Sequence, residues 1–268
     1  LFAADARTLA RIEPTIRRVV IADPNVASAR LLLDIMKSLG AREVVTETDE
    51  ARVMDAVREI EPGLIFTERT GPGLNGEILT RNLRRSNLAS RRTPVIMVTT
   101  EATATTIKGA RDSGVHEFLR KPFTSADLFR RIENVALKPR DWIEGVGYVG
   151  PDRRRFNSGE YAGPQKRKQD KPASAAGAAM AVKDQALRIL AAALAQFDND
   201  PLQAVRAARQ QAETLKGLAI KTADAKLAIA AAGLEATLAS GPATRASLAE
   251  PIGVLLALAD PEPLARAG

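Results

Sequence analysis

Five short runs rich in apolar and β-branched residues, at 19–22, 43–46, 64–67, 95–98 and 117–119, alternate with stretches whose apolar residues recur at helical spacing. Runs this short with a helix's worth of chain between them cannot close by tight hairpins, so parallel pairing through crossover helices is the arrangement left. The expected fold of the first half is therefore α/β, a doubly wound five-stranded parallel sheet. Leu32, Ile35, Met36 and Leu39 mark one helix, stopped by Gly40, and Val53, Val57 and Ile60 the next, closed by Pro62. Ile78, Leu79 and Leu83 follow, then a helix over 107–112 ended by Gly114, and a last one capped by Ser125 with Leu128, Ile132 and Val135, terminated by Pro139. A short helix over 5–13 is expected to pack outside. In open parallel sheets the chemistry collects beyond the carboxyl ends of the strands, which here carry Asp23, Glu68, Thr99 and Lys121.

The stretch 63–76, Gly-Leu-Ile-Phe-Thr-Glu-Arg-Thr-Gly-Pro-Gly-Leu-Asn-Gly, sets Glu68 four positions before Pro72 and eight before Gly76. Val-Ile-Met-Val ends on Thr99, and Phe-Leu-Arg leads to Lys121-Pro122-Phe123. Together these resemble the phospho-acceptor loop, hydroxyl strand and lysine strand of bacterial response-regulator receiver domains, over residues 18–137. The resemblance implies an aspartate nucleophile, two further acids at the end of the first strand that help hold magnesium, and a switch aromatic at Phe118. This sequence departs at two of the three acids: Ala22 stands where a metal-binding acid is expected, beside Asp23, and Glu68 replaces the nucleophile. A carboxylate moved by about 1 Å can cost roughly a hundredfold in rate, and the short metal site would compound the loss. The expectation is a degenerate acceptor site with no cofactor, magnesium binding weakly at most. Glu68 either pairs with Lys121 and holds the domain in one state or is a relic. His116 reads as an ordinary loop histidine.

Residues 15–139 are thus taken as the receiver-like domain, 140–179 as a basic linker containing Gly and Pro, and 180–262 as a second domain. Trp142, Tyr148 and Phe156 favour docking of part of the linker, and Arg153, Arg154 and Arg155 offer guanidinium groups to an anionic partner. Four alanine- and leucine-rich helices with short connections imply an all-α four-helix bundle. The first carries Leu187, Leu190, Leu194 and Phe197; the second starts at an Asp200 cap with Pro201 behind it and carries Leu202, Val205, Ala212 and Leu215. Thr222 opens the third, with Leu227, Ile229 and Leu234 inward, and 244–259 the fourth, which Pro251 should kink or break. On the second helix, Glu213-Thr-Leu-Lys216-Gly217 resembles the histidine-phosphotransfer motif with Glu213 in the histidine's place. The resemblance implies a docking face of Glu213, Lys216 and Gly217, three residues that share one helical face.

Composition narrows the chemistry. Without cysteine and with a single histidine, thiolate nucleophiles, disulfides and histidine metal clusters are excluded. Asp5, Arg7 and Arg11 interrupt the start where a signal peptide needs an apolar core, no run is long enough to span a bilayer, and a cytoplasmic setting is expected. The net charge of +7 lies upstream of Lys183, since from Lys183 onward nine basic residues meet nine acidic ones. Arg81, Arg84, Arg85, Arg91 and Arg92 cluster near one helix and are read mainly as solvated surface. The function expected is a bacterial, non-enzymatic phosphorelay adaptor or inhibitor that binds a histidine kinase or response regulator. The alternative is a regulator that binds nucleic acid or another anionic ligand through the basic linker; the absence of base-reading motifs keeps it second.

Overall fold

A computed structural model describes residues 5–153 and 175–259. These divide into two compact units, residues 5–143 with 148–153 and residues 144–147 with 175–259. Among them no helix is long and apolar enough to cross a membrane.

In the first unit, α1 (Ala6–Ile16) precedes β1 (Arg18–Ala22), α2 (Val26–Ser38), β2 (Glu43–Glu47), α3 (Glu50–Ile60) and β3 (Leu64–Thr67). A two-residue ladder, β4 (Thr70–Gly71) with β5 (Leu74–Asn75), leads into α4 (Gly76–Arg85). A 3-10 turn at Ala89–Arg92, β6 (Val95–Thr99), α5 (Ala104–Ser113), β7 (Glu117–Arg120) and α6 (Ser125–Leu137) complete the alternation. The five long strands form one parallel sheet in the order β2-β1-β3-β6-β7. The expected doubly wound fold is observed.

Its core follows from the period of two along each strand. Val19, Ile21, Leu64, Phe66, Ile96, Val98 and Leu119 face one way and pack with residues of α1, α2 and α6. Val20, Ala22, Ile65, Val95, Met97 and Phe118 face the other and pack with α3, α4 and α5. Side-chain caps fix where the helices begin: Asn25 accepts from the Ser28 amide, Asp49 from Arg52, and Asn75 from both Glu77 and Ile78. Helix α1 runs to Ile16, beyond the expected 5–13, and α5 spans Ala104–Ser113 around the expected 107–112. Thr124, and not Ser125, caps α6, because its hydroxyl and the Asp127 carboxylate form a reciprocal capping box. Helix α3 ends at Ile60 with Glu61 in the left-handed region at φ 44°, one residue ahead of Pro62. Residues 140–153, within the stretch read as linker, carry β8 (Trp142–Glu144) and β9 (Val149–Pro151).

The second unit holds four helices, α7 (Ala175–Ala195), α8 (Pro201–Thr222), α9 (Ala225–Ala239) and α10 (Arg245–Leu256). Asp200 caps α8 as expected, with Pro201 at its first position. Leu202 and Ile229, expected inside, are exposed at 47% and 75%. The buried stripe of α8 is instead Ala204, Ala207, Ala208, Ala212, Leu215 and Ala219, and that of α9 is Leu227, Ala230, Ala231, Leu234 and Leu238. Where alanine itself fills the core, the largest apolar residue no longer marks the phase of the helix. Helix α9 opens behind an Asp224 cap, two residues later than expected. Pro251 neither ends nor interrupts α10, whose Leu248, Ile252 and Leu255 are buried on either side of it. Gln203 donates to the Glu144 carboxylate at 2.9 Å and to the Gly145 carbonyl at 3.2 Å, fixing residues 144–147 to this unit.

Gly76 shows the closest packing around the loop that follows β3. A Cβ there would lie 2.2 Å from the Glu68 carbonyl oxygen and 2.7 Å from the Thr67 hydroxyl. Gly76→Ala is therefore expected to lower the stability of the first unit by about 1–3 kcal/mol, read from the denaturant midpoint, because backbone must move to admit one methyl group.

Candidate functional site

Strand register assembles the site. Ala22 pairs with Thr67 and Thr99 with Arg120, so the next residue along β1, β3 and β7 emerges at the same edge. The ladder continues one step beyond the strands: the Asp23 amide donates to the Glu47 carbonyl at 3.1 Å, Glu68 to Ala22 at 2.8 Å and Lys121 to Thr99 at 2.8 Å. Asp23, Glu68 and Lys121 are brought together at this edge. The Lys121 ammonium donates to Asp23 Oδ2 at 2.8 Å and to Glu68 Oε2 at 2.7 Å. The other oxygen of each acid is also occupied: Asp23 Oδ1 accepts from the Asn25 amide at 2.9 Å and Glu68 Oε1 from the Arg69 amide at 2.7 Å.

These side chains are largely shielded from water, at 16% exposure for Lys121, 3% for Asp23 and 14% for Glu68. Burial works to lower the Lys121 pKa, but hydrogen bonds and charge from Asp23 and Glu68 outweigh it and hold the group above its ordinary value of 10.5. The resulting stabilisation is complete below pH 10.5 and is lost as pH rises through the higher folded value.

Thr99 is 3% exposed and its hydroxyl accepts from the Glu101 amide at 3.4 Å. Phe118 is 2% exposed, packed in the core with Val95, Met97, Ala110 and Val115. Among the described residues no group of three or more histidine, cysteine or acidic side chains is placed to hold a metal ion. One residue the sequence reading passed over also belongs to this edge. Arg69 reaches Glu77 and Glu101, partners that are local only once the sheet has folded.

A second ionisable cluster lies at the opposite end of the sheet. Arg84, read from sequence as surface, is 0% exposed. Its Nη1 donates to the carbonyls of Arg91 at 2.8 Å and Thr93 at 2.9 Å, while Nε and Nη2 donate to Gly114 at 3.1 and 3.0 Å. Trp142 covers the group, 5.4 Å from guanidinium carbon to ring centroid, and Arg91 and Arg92 approach the same ring at 5.8 and 5.5 Å. Burial is the main cause that lowers the Arg84 pKa to about 9. His116, read as an ordinary loop residue, takes part here: its Nδ1 accepts from the Val95 amide at 3.3 Å and lies 3.2 Å from Arg84 Nη2. Desolvation first, then the charges of Arg84 and Arg140, hold it neutral well below pH 6.5.

Arg153 is engaged within the first unit. It donates to Asp112 at 3.0 Å and its guanidinium lies 4.4 Å from the Tyr148 ring centre. Arg154 and Arg155 lie outside the described residues. On α8, Glu213 and Lys216 are exposed and share a face with Gly217, at which an added Cβ would meet nothing within 4 Å. Lys216 donates to Glu235 of α9 at 2.5 Å, so its partner is across the helix pair and not along α8.

An acid, a hydroxyl and a lysine stand at the carboxyl edge of a five-stranded parallel sheet in this order, and residues 19–133 match the family model of the response regulator receiver domain. Among curated proteins, the chain is 26% identical over 124 residues to the sensory/regulatory protein RpfC of Xanthomonas campestris pv. campestris. That match covers 46% of this chain and 17% of RpfC. It is 27% identical over 116 residues to the DNA-binding response regulator MtrA of Mycobacterium tuberculosis, covering 43% of this chain and 49% of MtrA. The chain thus spans half or less of the length of these relatives. Among solved structures, the chemotaxis response regulator CheY4 of Vibrio cholerae superposes with a TM-score of 0.40 at 21% identity, over 44% of this chain and 97% of that one. A CheY-like receiver domain protein from Methanospirillum hungatei gives 0.41 at 19%, over 45% and 93%.

Two outcomes follow from the charges. Lys121→Met leaves Asp23 and Glu68 facing each other without a cation, and should destabilise the first unit by about 3 kcal/mol at pH 7 in chemical denaturation. For His116, the unfolded chain takes up a proton near pH 6.5 that the folded chain refuses, so its share of stability is present above pH 6.5 and is lost as pH falls. His116→Asn, which keeps an acceptor for the Val95 amide, should flatten the fall in melting temperature between pH 7 and pH 5.

Proposed function

We propose that this chain is a non-catalytic adaptor or inhibitor of two-component signalling, which binds a histidine kinase or a response regulator through its receiver unit and its helical unit. The observation that carries the reading is the state of Glu68. A glutamate stands where the receiver resemblance implies an aspartate, and its carboxylate is already held by Lys121 and by the Arg69 amide. The position complementary to a phosphoryl group is filled by a permanent negative charge on the chain itself, and Ala22 leaves the neighbouring acid pair one short. A domain so arranged is suited to recognition in one fixed state. The match to receiver domains and to relatives named as response regulators or a sensory/regulatory protein supports the pathway class.

On this reading the helical unit contributes a docking face through Glu213, Lys216 and Gly217. The open space over Gly217 supports it, since a partner can approach the α8 backbone there. Affinity purification of the full chain from its native host should recover a histidine kinase or a response regulator. Gly217→Arg should weaken that interaction by about tenfold, roughly the loss of one good interface contact, with circular dichroism unchanged because a Cβ at this position meets nothing within 4 Å. Undiminished binding would remove α8 from the interface and leave the bundle as a spacer or dimerisation element. Glu68→Ala should change the affinity without unfolding the chain; an unchanged affinity would make Glu68 a relic.

A further inference from the structure

Residues 78–100 hold Arg81, Arg84, Arg85, Arg91 and Arg92 and no acidic residue. Arg84 is turned inward onto backbone carbonyls, whereas Arg81 and Arg92 are exposed and Arg85 and Arg91 half-buried. Arg81 and Arg85 lie four apart on α4 and so share a face. Arg91 Nε donates to the Arg84 carbonyl at 3.0 Å, which seats the 3-10 turn against the last turn of that helix. The guanidiniums of Arg91 and Arg92 stand 5.8 and 5.5 Å from the Trp142 ring centre, and groups already stacked lose less freedom on meeting a ligand than solvated ones do. Among the described residues Arg81 and Arg92 have no acidic partner. The acids that border this surface are drawn to other cations: Asp112 accepts from Arg111 and Arg153, each at 3.0 Å, and the charge of Asp152 acts on Arg140. Asp141, next to Trp142, is exposed.

We infer that the end of α4, the 3-10 turn and Trp142 form a binding surface for the sugar-phosphate backbone of nucleic acid, engaged without regard to base sequence. A surface of one sign is complementary to a ligand that repeats the opposite sign along its whole length. Protein surfaces intersperse both signs, and a patch of arginine repels their basic residues. Guanidinium forks match phosphate oxygens in pairs. Trp142 acts here as a platform for arginines and not for bases, since three guanidiniums already approach its ring. The surface lies at the amino end of the sheet, away from Asp23, Glu68 and Lys121, so binding there goes beyond the adaptor reading and does not depend on it.

Fluorescence anisotropy of labelled oligo-dT with the full chain tests it, with emission from Trp142, the sole tryptophan of the sequence, as the local reporter. Four phosphate contacts, at roughly 0.7 each on a single strand, predict a slope of about −3 for log affinity against log salt concentration. Arg81→Ala combined with Arg92→Ala should reduce the slope to about −1.5 and weaken binding roughly 25-fold at about 0.1 M salt. Circular dichroism should stay unchanged, since both side chains are exposed. Arg81→Lys combined with Arg92→Lys should keep the parent slope, because released counterions follow charge. Trp142 emission should change when the parent chain binds. Binding that survives the paired alanine substitution but is lost when Arg153, Arg154 and Arg155 are all replaced by Ala would move the contact to the linker and overturn the inference. Displacement of oligo-dT by polyglutamate at matched charge would overturn it in favour of an acidic protein surface. No binding at low salt, or an affinity indifferent to salt, would overturn it outright.

Discussion

The Lys121 ammonium, buried between the carboxylates of Asp23 and Glu68, is the contact on which the carboxyl edge of the sheet depends. Three charges withdrawn from water are costly unless their geometry is good and their remaining hydrogen-bonding capacity is met. Both conditions hold: the two bonds from lysine are 2.7 and 2.8 Å, and the outer oxygens are taken by backbone amides of Asn25 and Arg69. Parallel pairing makes this geometry possible, because β1, β3 and β7 deliver their next residues to one edge.

The amino end of the sheet handles a buried cation by another route. Arg84 donates to the backbone carbonyls of Gly114, Arg91 and Thr93 and has an indole over its face, and burial draws its pKa down to about 9. Its acceptors come from the segments that precede β6 and β7, and Trp142 lies beyond α6, so the side chain draws three separated stretches of chain together. The two ends of the first unit are thus each centred on a cation, one neutralised by acids and one solvated by the backbone.

The parallel sheet, its crossover helices and the placing of Asp23, Glu68, Thr99 and Lys121 at the carboxyl ends of strands were legible in the sequence because each strand is a compact apolar run; the order of the strands was not read from it. Three other features were not. Arg84 resembles its neighbours Arg81 and Arg85, exposed and half-buried, until the fold shows that it faces inward. Arg69 has partners eight and thirty-two positions away, and no local pattern announces either. In the helical unit, alanine supplies so much of the core that Leu202 and Ile229 were taken as inward when they are outward. Helical phase is read from contrast between faces, and α9 and α10 offer little of it. Glu213, Lys216 and Gly217 share one face of α8, with Glu213 and Lys216 exposed and Gly217 half-buried, since spacing of three and four residues settles that much without knowledge of the core.

On the proposed reading, Glu68 is paired with Lys121 and accepts no phosphoryl group. Incubation of the full chain with radiolabelled acetyl phosphate and magnesium tests it most directly. No label above that of a heat-denatured control is predicted, in the parent chain and in Glu68→Gln alike. Magnesium-dependent labelling of the parent chain that disappears in Glu68→Gln would contradict the account.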